Sequence, residues 1–301
     1  MKSTSLLVVL ALGFAGALAQ QRTPEEIERE KKYLEQSAKA NADTAIHVGW
    51  THTASGALNL TQVSFKDWVA GGTNTLAYSA AIQGASVLTS QKTVWTNNYR
   101  FAFGQARLGD QGLRKTDDDI YFESLLILRT GGNLNPYVAA TVRTQFAPGY
   151  NYSTAPETQV SKFFDPGYVT ESAGLEYKPA AVFTTRIGAE AREIFTSQFN
   201  QYATDLTTNT VHKVWTRGGI ESVSELNANI AENIQFVARL DLFAPFQSMD
   251  RIVVRNDYSI VAKVNKYVST GLTFNIINDV NVSPKTQMKQ ALALGLTYTL
   301  F

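Results

Sequence analysis

The chain of 301 residues has no cysteine, three histidines and three methionines, and its charges nearly cancel at +1. Without cysteine there can be no disulfide framework, no thiolate metal site and no lipid-modified N-terminal cysteine. The balanced charge lacks the basic stripe that nucleic-acid binding needs, so no nucleic-acid partner is expected. Also missing are a glycine-rich phosphate loop and a histidine cluster at metal spacing, so the sequence predicts no cofactor and no metal. Beyond residue 45 no amphipathic helix of useful length can be drawn. What remains is strand after strand of alternating character.

The two ends are distinctive. "MKSTSLLVVLALGFAGALAQ" carries Lys2, an apolar run from Leu6 to Phe14, and Ala17-Leu18-Ala19. That order is the one of an export signal, with residues 1–19 removed, and the apolar run is too short to span a bilayer as a helix. Residues 20–44 predict a short periplasmic helix: Thr23 and Glu26 form a cap, Pro24 takes the first helical position, and Glu28–Lys32 and Glu35–Lys39 pair one turn apart. Its apolar stripe of Ile27, Leu34 and Ala38 is thin, so it is expected to be mostly solvated. At the other end, "QALALGLTYTLF" places Leu292, Leu294, Leu296, Tyr298 and Leu300 on one face. A soluble protein rarely finishes on such an open apolar edge. The pattern resembles the C-terminal assembly signal of Gram-negative outer-membrane barrels, with Ala293 and Leu300 as departures from it.

Alternation predicts twelve strands, over 45–53, 73–87, 92–106, 118–130, 135–147, 169–178, 181–193, 214–225, 228–243, 251–265, 268–279 and 287–301. Short turns at 88–91, 131–134, 179–180, 226–227 and 266–267 alternate with longer loops at 54–72, 107–117, 148–168, 194–213, 244–250 and 280–286. An even strand number, short periplasmic turns and long outer loops are the layout of a bacterial outer-membrane barrel. The fold class expected is therefore all-β, an antiparallel transmembrane β-barrel occupying 45–301, with both termini periplasmic.

The faces support an inside-out arrangement. Trp95, Tyr99, Phe101 and Phe103 share one side of their strand, and Thr96, Asn98, Arg100 and Gly104 the other. Near 251–265, Ile252, Val254, Tyr258, Ile260 and Val264 oppose Arg251, Arg255, Asp257, Ser259 and Lys263. An arginine facing lipid at mid-bilayer would cost about 2–4 kcal/mol, so the charges are assigned to the lumen. The predicted lumen ladder is Arg100, Glu123, Arg143, Glu176, Arg186, Glu190, Arg192, Arg217, Glu221, Arg239, Asp241, Arg255 and Asp257. Opposite signs recur within it, as a mutually neutralising network filling a narrow lumen would show; a charged constriction selecting solutes is the alternative. Trp95, Tyr177, Phe183 and Tyr298 suit an aromatic girdle. Glu232 falls on the outward face of 228–243, near a turn.

Residues able to support catalysis are few. Asp117-Asp118-Asp119 offers oxygen ligands, but no calcium-loop spacing follows. Asn151 and Ser153 form a glycosylation pattern without meaning in a bacterial export product. His52 lies three residues before Ser55, with His52 assigned off the lipid face and Ser55 to a loop; His212 has Asp205 in its own loop, and His47 stands alone. No catalytic residue is assigned, since no third group orients any of these pairs. An integral hydrolase of lipid or peptide remains the alternative function.

In "QVSFKDWVAGGTNTLA", Gln62, Phe65, Trp68, Gly71, Gly72 and Asn74 match the opening signature of an exported Bacteroidota-type barrel family, a domain-of-unknown-function family. "RKTDDDIYFES", "VRTQFAPGY", "SKFFDPGY", "GLEYKP" and "GLTYTLF" follow in order, so the chain resembles that family over essentially everything after about residue 45. The resemblance implies an outer-membrane barrel and carries no known activity. Phe65, Trp68, Gly71 and Gly72 are candidates for packing or recognition at the barrel mouth. Arg114 and Lys115 can pair with the following acids, and the Pro-Gly turns of "APGY" and "DPGY" predict a shaped loop 148–168. The expected role is a narrow channel for small solutes or a structural part of an envelope complex. Outer-membrane lipid, the barrel-assembly machinery and an envelope protein are the expected partners.

Overall fold

A computed structural model describes residues 48–64, 73–205, 208–263, 268–280, 283, 285–296 and 298–299. The expected export signal, the helical segment 20–44, and Phe65, Trp68, Gly71 and Gly72 lie outside the described residues. The chain forms β1 (Gly49–Val63), β2 (Thr75–Thr89), β3 (Thr93–Leu108), β4 (Arg114–Leu128) and β5 (Leu134–Thr144). A small hairpin of β6 (Gly149–Asn151) and β7 (Thr158–Ser161) precedes β8 (Gly167–Ala180) and β9 (Phe183–Phe195). A 3-10 turn at Asn200–Ala203 and the short pair β10 (Thr204–Asp205) and β11 (Thr210–Val211) lead into β12 (Val214–Ala231), β13 (Ile234–Pro245), β14 (Val253–Lys263) and β15 (Val268–Asn278). β16 (Gln287–Leu296) and β17 (Tyr298–Thr299) complete the chain.

The long strands pair antiparallel in the order β16-β15-β14-β13-β12-β9-β8-β5-β4-β3-β2-β1-β17. β16 and β17 are successive stretches of one last strand, separated by a single residue. That strand pairs with β15 from Ile277↔Gln287 to Val268↔Leu296, and with β1 through Ser55↔Thr299 and Gly56↔Tyr298. Twelve long strands therefore stand in ring order, and two residue pairs draw the seam.

The wall is inside-out, as alternation requires when one face meets lipid and the other water. On β2, Ser79, Ala81, Gln83, Ala85 and Val87 are buried, while Ile82 between them is 56% exposed. On β4, Asp119 and Glu123 are buried, while Phe122 and Leu128 are exposed. Leu58, Val138 and Ile187 also lie bare on the outward face. A water-soluble protein does not leave so continuous an apolar surface uncovered, and a hydrocarbon environment is what such a face suits. Glu171 and Glu193 also take outward positions, on β8 and β9, but both sit near the long-loop end. There the cost of a charge falls to about 0–1 kcal/mol.

Several boundaries differ from the sequence reading. β1 runs ten residues past 53 and pairs along its whole length with β2, so residues 54–63 are wall and not loop. Gly56, Asn59 and Thr61 suggest a loop by composition, yet the ladder with β2 and the alternation of Leu58 and Leu60 prevail. β12 continues through 226–227, and the turn lies at Glu232-Asn233. Asn227 stays in the ladder opposite Val237, and its side-chain oxygen accepts from Gln235 Nε2. Glu232 consequently occupies the turn and not an outward strand position. β8 likewise extends to Ala180, which moves the next turn to Ala181-Val182.

Candidate functional site

Alternation sends one residue in two into the lumen, and what those residues are changes with height. At the short-turn end they are apolar: Ala85, Val87, Val94, Leu125, Ile127 and Tyr137, contributed by β2 to β5, pack as one buried cluster. Across from them, Val237, Val261, Gln235 and Ser259 are each no more than 4% exposed. Lumen positions this buried mean that the described part of the lower lumen is filled with side chains.

The next layer is polar and spans the lumen. Tyr137 Oη reaches from β5 past two strands to donate to Glu221 Oε1 on β12 at 2.5 Å. Its ring can lie along the wall because the residues it crosses are Gly174 and Gly188, which share its register row. A Cβ on Gly188 would stand 2.6 Å from Tyr137 Oη, so only glycine permits the approach. Arg186 on β9 crosses in the other sense, with its guanidinium 3.6 Å from Glu123 Oε1 on β4 and 5.4 Å from the Tyr137 ring centre. Asn98 Nδ2 donates to the other Glu123 oxygen at 3.2 Å. Glu176 is buried directly opposite Arg186 in the β8–β9 ladder. Arg239 pairs with Glu225 nearby.

Above this brace lies a cavity of about 530 Å³. Arg100 and Arg143 both donate to Asp119, at 2.7 and 2.6 Å through their Nε atoms. Arg192 donates to Glu190 at 2.6 Å and lies 3.8 Å from Asp241. Arg217, Arg255 and Asp257 also line the cavity, as do Glu123, Arg186, Glu221 and Arg239 at its base. Asn275 Nδ2 donates to Asp257. The guanidinium of Arg217 lies 4.3 Å over the Trp215 ring and 5.7 Å from that of Phe243, and Arg192 covers Phe243 at 4.3 Å.

Asp119, Tyr137, Trp215 and Phe243 were not among the residues assigned to the lumen. Each has the parity of a charged residue of its own strand that was: Asp119 with Glu123, Tyr137 with Arg143, Trp215 with Arg217, Phe243 with Asp241. Counting by twos from those charges finds them. The Asp117-Asp118-Asp119 run hides this signal, because its members serve different ends. Asp119 turns inward. Asp118 accepts from the backbone N–H groups of Phe146 and Ala147 at 2.7 and 2.8 Å and pairs with Lys115 at 2.9 Å. Arg114 goes elsewhere, to Glu157 at 3.0 Å, with its guanidinium over Tyr152.

The loop 148–168 is built, not loose. β6 and β7 form its hairpin, and Asp165 ties its end to the next loop. Asp165 accepts from the backbone N–H groups of Ser197 and Gln198 at 3.0 and 2.8 Å, and from the Ser197 hydroxyl at 2.8 Å. Burial alone would raise the Asp165 carboxyl, but these donors outweigh it and hold it below its usual value. The folded state thus favours the ionised form. Its contribution is present above the ordinary carboxylate range and is lost as pH falls through the lowered folded value. Asp165→Ala should cost about 2 kcal/mol of loop docking. Hydrogen exchange should then speed up across 196–205 at neutral pH while β2 to β4 keep their protection; unchanged exchange there would show that Asp165 does not hold the loops together.

Outside the wall at the short-turn end, Trp50 stacks on His52 with centroids 5.5 Å apart and meets Trp95 at 5.8 Å. Tyr177 is exposed on the same surface, Phe183 is half-buried beside a turn, and the Tyr298 side chain lies outside the described ones. His52 therefore faces outward, contrary to the sequence assignment, because β1 keeps its register with β2. His52 Nδ1 is 2.9 Å from Ser86 Oγ. Ser55, expected in a loop, is a strand residue of β1. Among the described residues no carboxylate contacts the His52 ring, so the third group of a Ser–His–acid arrangement is not supplied there. His212 stacks on Trp215 at 6.0 Å, and His47 lies outside the described residues.

Residues 60–150 match a family described as "Protein of unknown function (DUF3078)". The match is narrower than the resemblance read from the sequence, which extended over the rest of the chain. No curated protein matches the sequence. Among solved structures, the translocator domain of the autotransporter NalP from Neisseria meningitidis is similar at 10% identity and a TM-score of 0.36, covering 91% of this chain and 97% of that one. The COG4313 outer membrane channel from Pseudomonas putida F1 is similar at 11% identity and a TM-score of 0.38, covering 85% and 96%. The beta domain of the Bordetella autotransporter BrkA follows at 12% identity and a TM-score of 0.31, covering 83% and 97%. Similarity this distant assigns no role to the lumen.

Proposed function

We propose that this chain is an outer-membrane β-barrel whose lumen is a floored chamber for a small polar solute, so that any passage through it is gated and not free. The observation that carries the proposal is the buried cluster of Val87, Val94, Leu125, Ile127 and Tyr137 lying beneath a cavity of about 530 Å³. Pockets of roughly 300–1,000 Å³ hold small molecules, whereas a diffusion pore keeps its lumen-facing residues wet along their whole length. The export-type N-terminus and the apolar outward face support the outer membrane as its location. The short turns then face the periplasm together with both chain ends, and the docked loops face outward. Outer-membrane lipid covers the wall, and the terminal apolar strand is the element offered to the assembly machinery. An envelope protein partner would meet the docked loops.

Reconstitution of the purified full-length barrel in a planar bilayer tests this reading. The wild-type protein should insert without discrete conductance steps. Regular steps at low voltage would show an open lumen and remove the chamber.

A further inference from the structure

The chamber has more cation on its upper wall than its ion pairs use. Arg143 and Arg192 are spent on Asp119 and on Glu190 and Asp241. Arg217 is different. It is 5% exposed, its Nε is buried without a hydrogen-bond partner, and among the described residues it forms no ion pair. The aromatic faces of Trp215 and Phe243 hold its plane in place. Asp279 and Glu190 are the carboxylates that act on it electrostatically. Arg255 also makes no ion pair among the described residues, and both the like charges of Arg143 and Arg192 and the acids Asp257 and Asp241 act on it. Tyr168 and Tyr202 line the same part of the cavity. A buried guanidinium without a directly paired carboxylate is costly, and a fixed fork of N–H donors matches the oxygens of a carboxylate or phosphate.

We infer that the upper chamber is an oxyanion site, in which Arg217 and Arg255 bind the carboxylate or phosphate group of a small anionic solute. This rests on the chamber reading above and adds the ligand's chemistry. The donors lie on the lumen side of the wall, separated from the lipid-facing surface, so the ligand is a soluble molecule and not a lipid headgroup. Trp215 and Phe243 keep the Arg217 fork from collapsing onto a neighbouring acid, which leaves its donors for an incoming anion.

Isothermal titration of the full-length barrel in detergent with inorganic phosphate, and separately with citrate, tests the site. At least one should bind. Arg217→Met and Arg255→Met should each weaken it about 10- to 100-fold. Arg114→Met, at the start of β4 where it pairs with Glu157, should leave it unchanged. Without ligand, Arg217→Met should unfold no more easily than the parent, since it removes a buried charge that forms no direct ion pair. Arg217→Lys, which keeps the charge but loses the fork, provides a folded comparison and should also bind more weakly. Absence of binding in a barrel that does not conduct overturns the oxyanion site and leaves the chamber standing. Conductance by a barrel that still loses its anion in Arg217→Met overturns the chamber and leaves the site. Equal weakening in Arg114→Met would also overturn the assignment.

Discussion

Arg186→Met should destabilise the barrel by about 3–5 kcal/mol, the range for removing one partner of a buried ion pair. Arg186 and Glu123 are 6% and 2% exposed, and they come from strands separated by two others. Their contact therefore braces the lumen face over the two strands between them. Removing the cation strands Glu123, and also Glu176, which faces Arg186 in the β8–β9 ladder. Urea unfolding in micelles, followed by the mobility difference between folded and unfolded barrel on a gel, measures the loss. Adding Glu123→Gln to Arg186→Met should recover much of it, because the stranded charge is gone while the hydrogen bond from Asn98 can persist. The double-mutant cycle isolates that coupling. If Arg186→Met alone proves neutral, the Arg186–Glu123 pair is not what holds β4 and β9 together across the lumen face.

The second large effect concerns conductance. Leu125→Ala, Ile127→Ala and Tyr137→Ala combined should turn a silent barrel into one with discrete steps. The three side chains come from neighbouring strands, β4 and β5, and together with Val87 and Val94 they form the described floor. Truncating each costs about 2–5 kcal/mol of packing, so the gel shift must first show that the variant is folded. A folded triple variant that stays silent would place the closure elsewhere, in the docked outer loops. Asp165→Ala, which loosens those loops, is the companion variant that separates the two locations.

Much of the architecture is legible in the residues because a barrel in lipid makes a periodic demand. Every second side chain must be apolar at membrane depth, and every second one can be polar. Strand 93–108 obeys that rule so closely that Trp95, Phe101, Thr96 and Asn98 reveal their faces without coordinates. The alternation of short turns and long loops likewise yields the strand number. The errors fall where local composition opposes pairing. Gly56, Asn59 and Thr61 look like a loop but have partners in β2. Asn227 looks like a turn but has Val237 opposite and Gln235 to bond. Strand ends depend on what the neighbour can pair with, and one strand read alone carries no record of its neighbour's length.

Charge on the lumen face follows from the same alternation, and so does the apolar outer wall. Which charges meet does not. Arg186 finds Glu123 and Tyr137 finds Glu221 because two intervening strands curve the sheet until those positions confront one another, and because glycine at 188 clears the path of the Tyr137 hydroxyl. The same curvature gathers Val94, Ile127 and Tyr137 into a floor and leaves Arg217 against Trp215 with its Nε donor unspent. Period-two patterning is local and survives in one dimension; contacts across a lumen depend on register and curvature accumulated over several strands, and those exist only in the closed-in sheet.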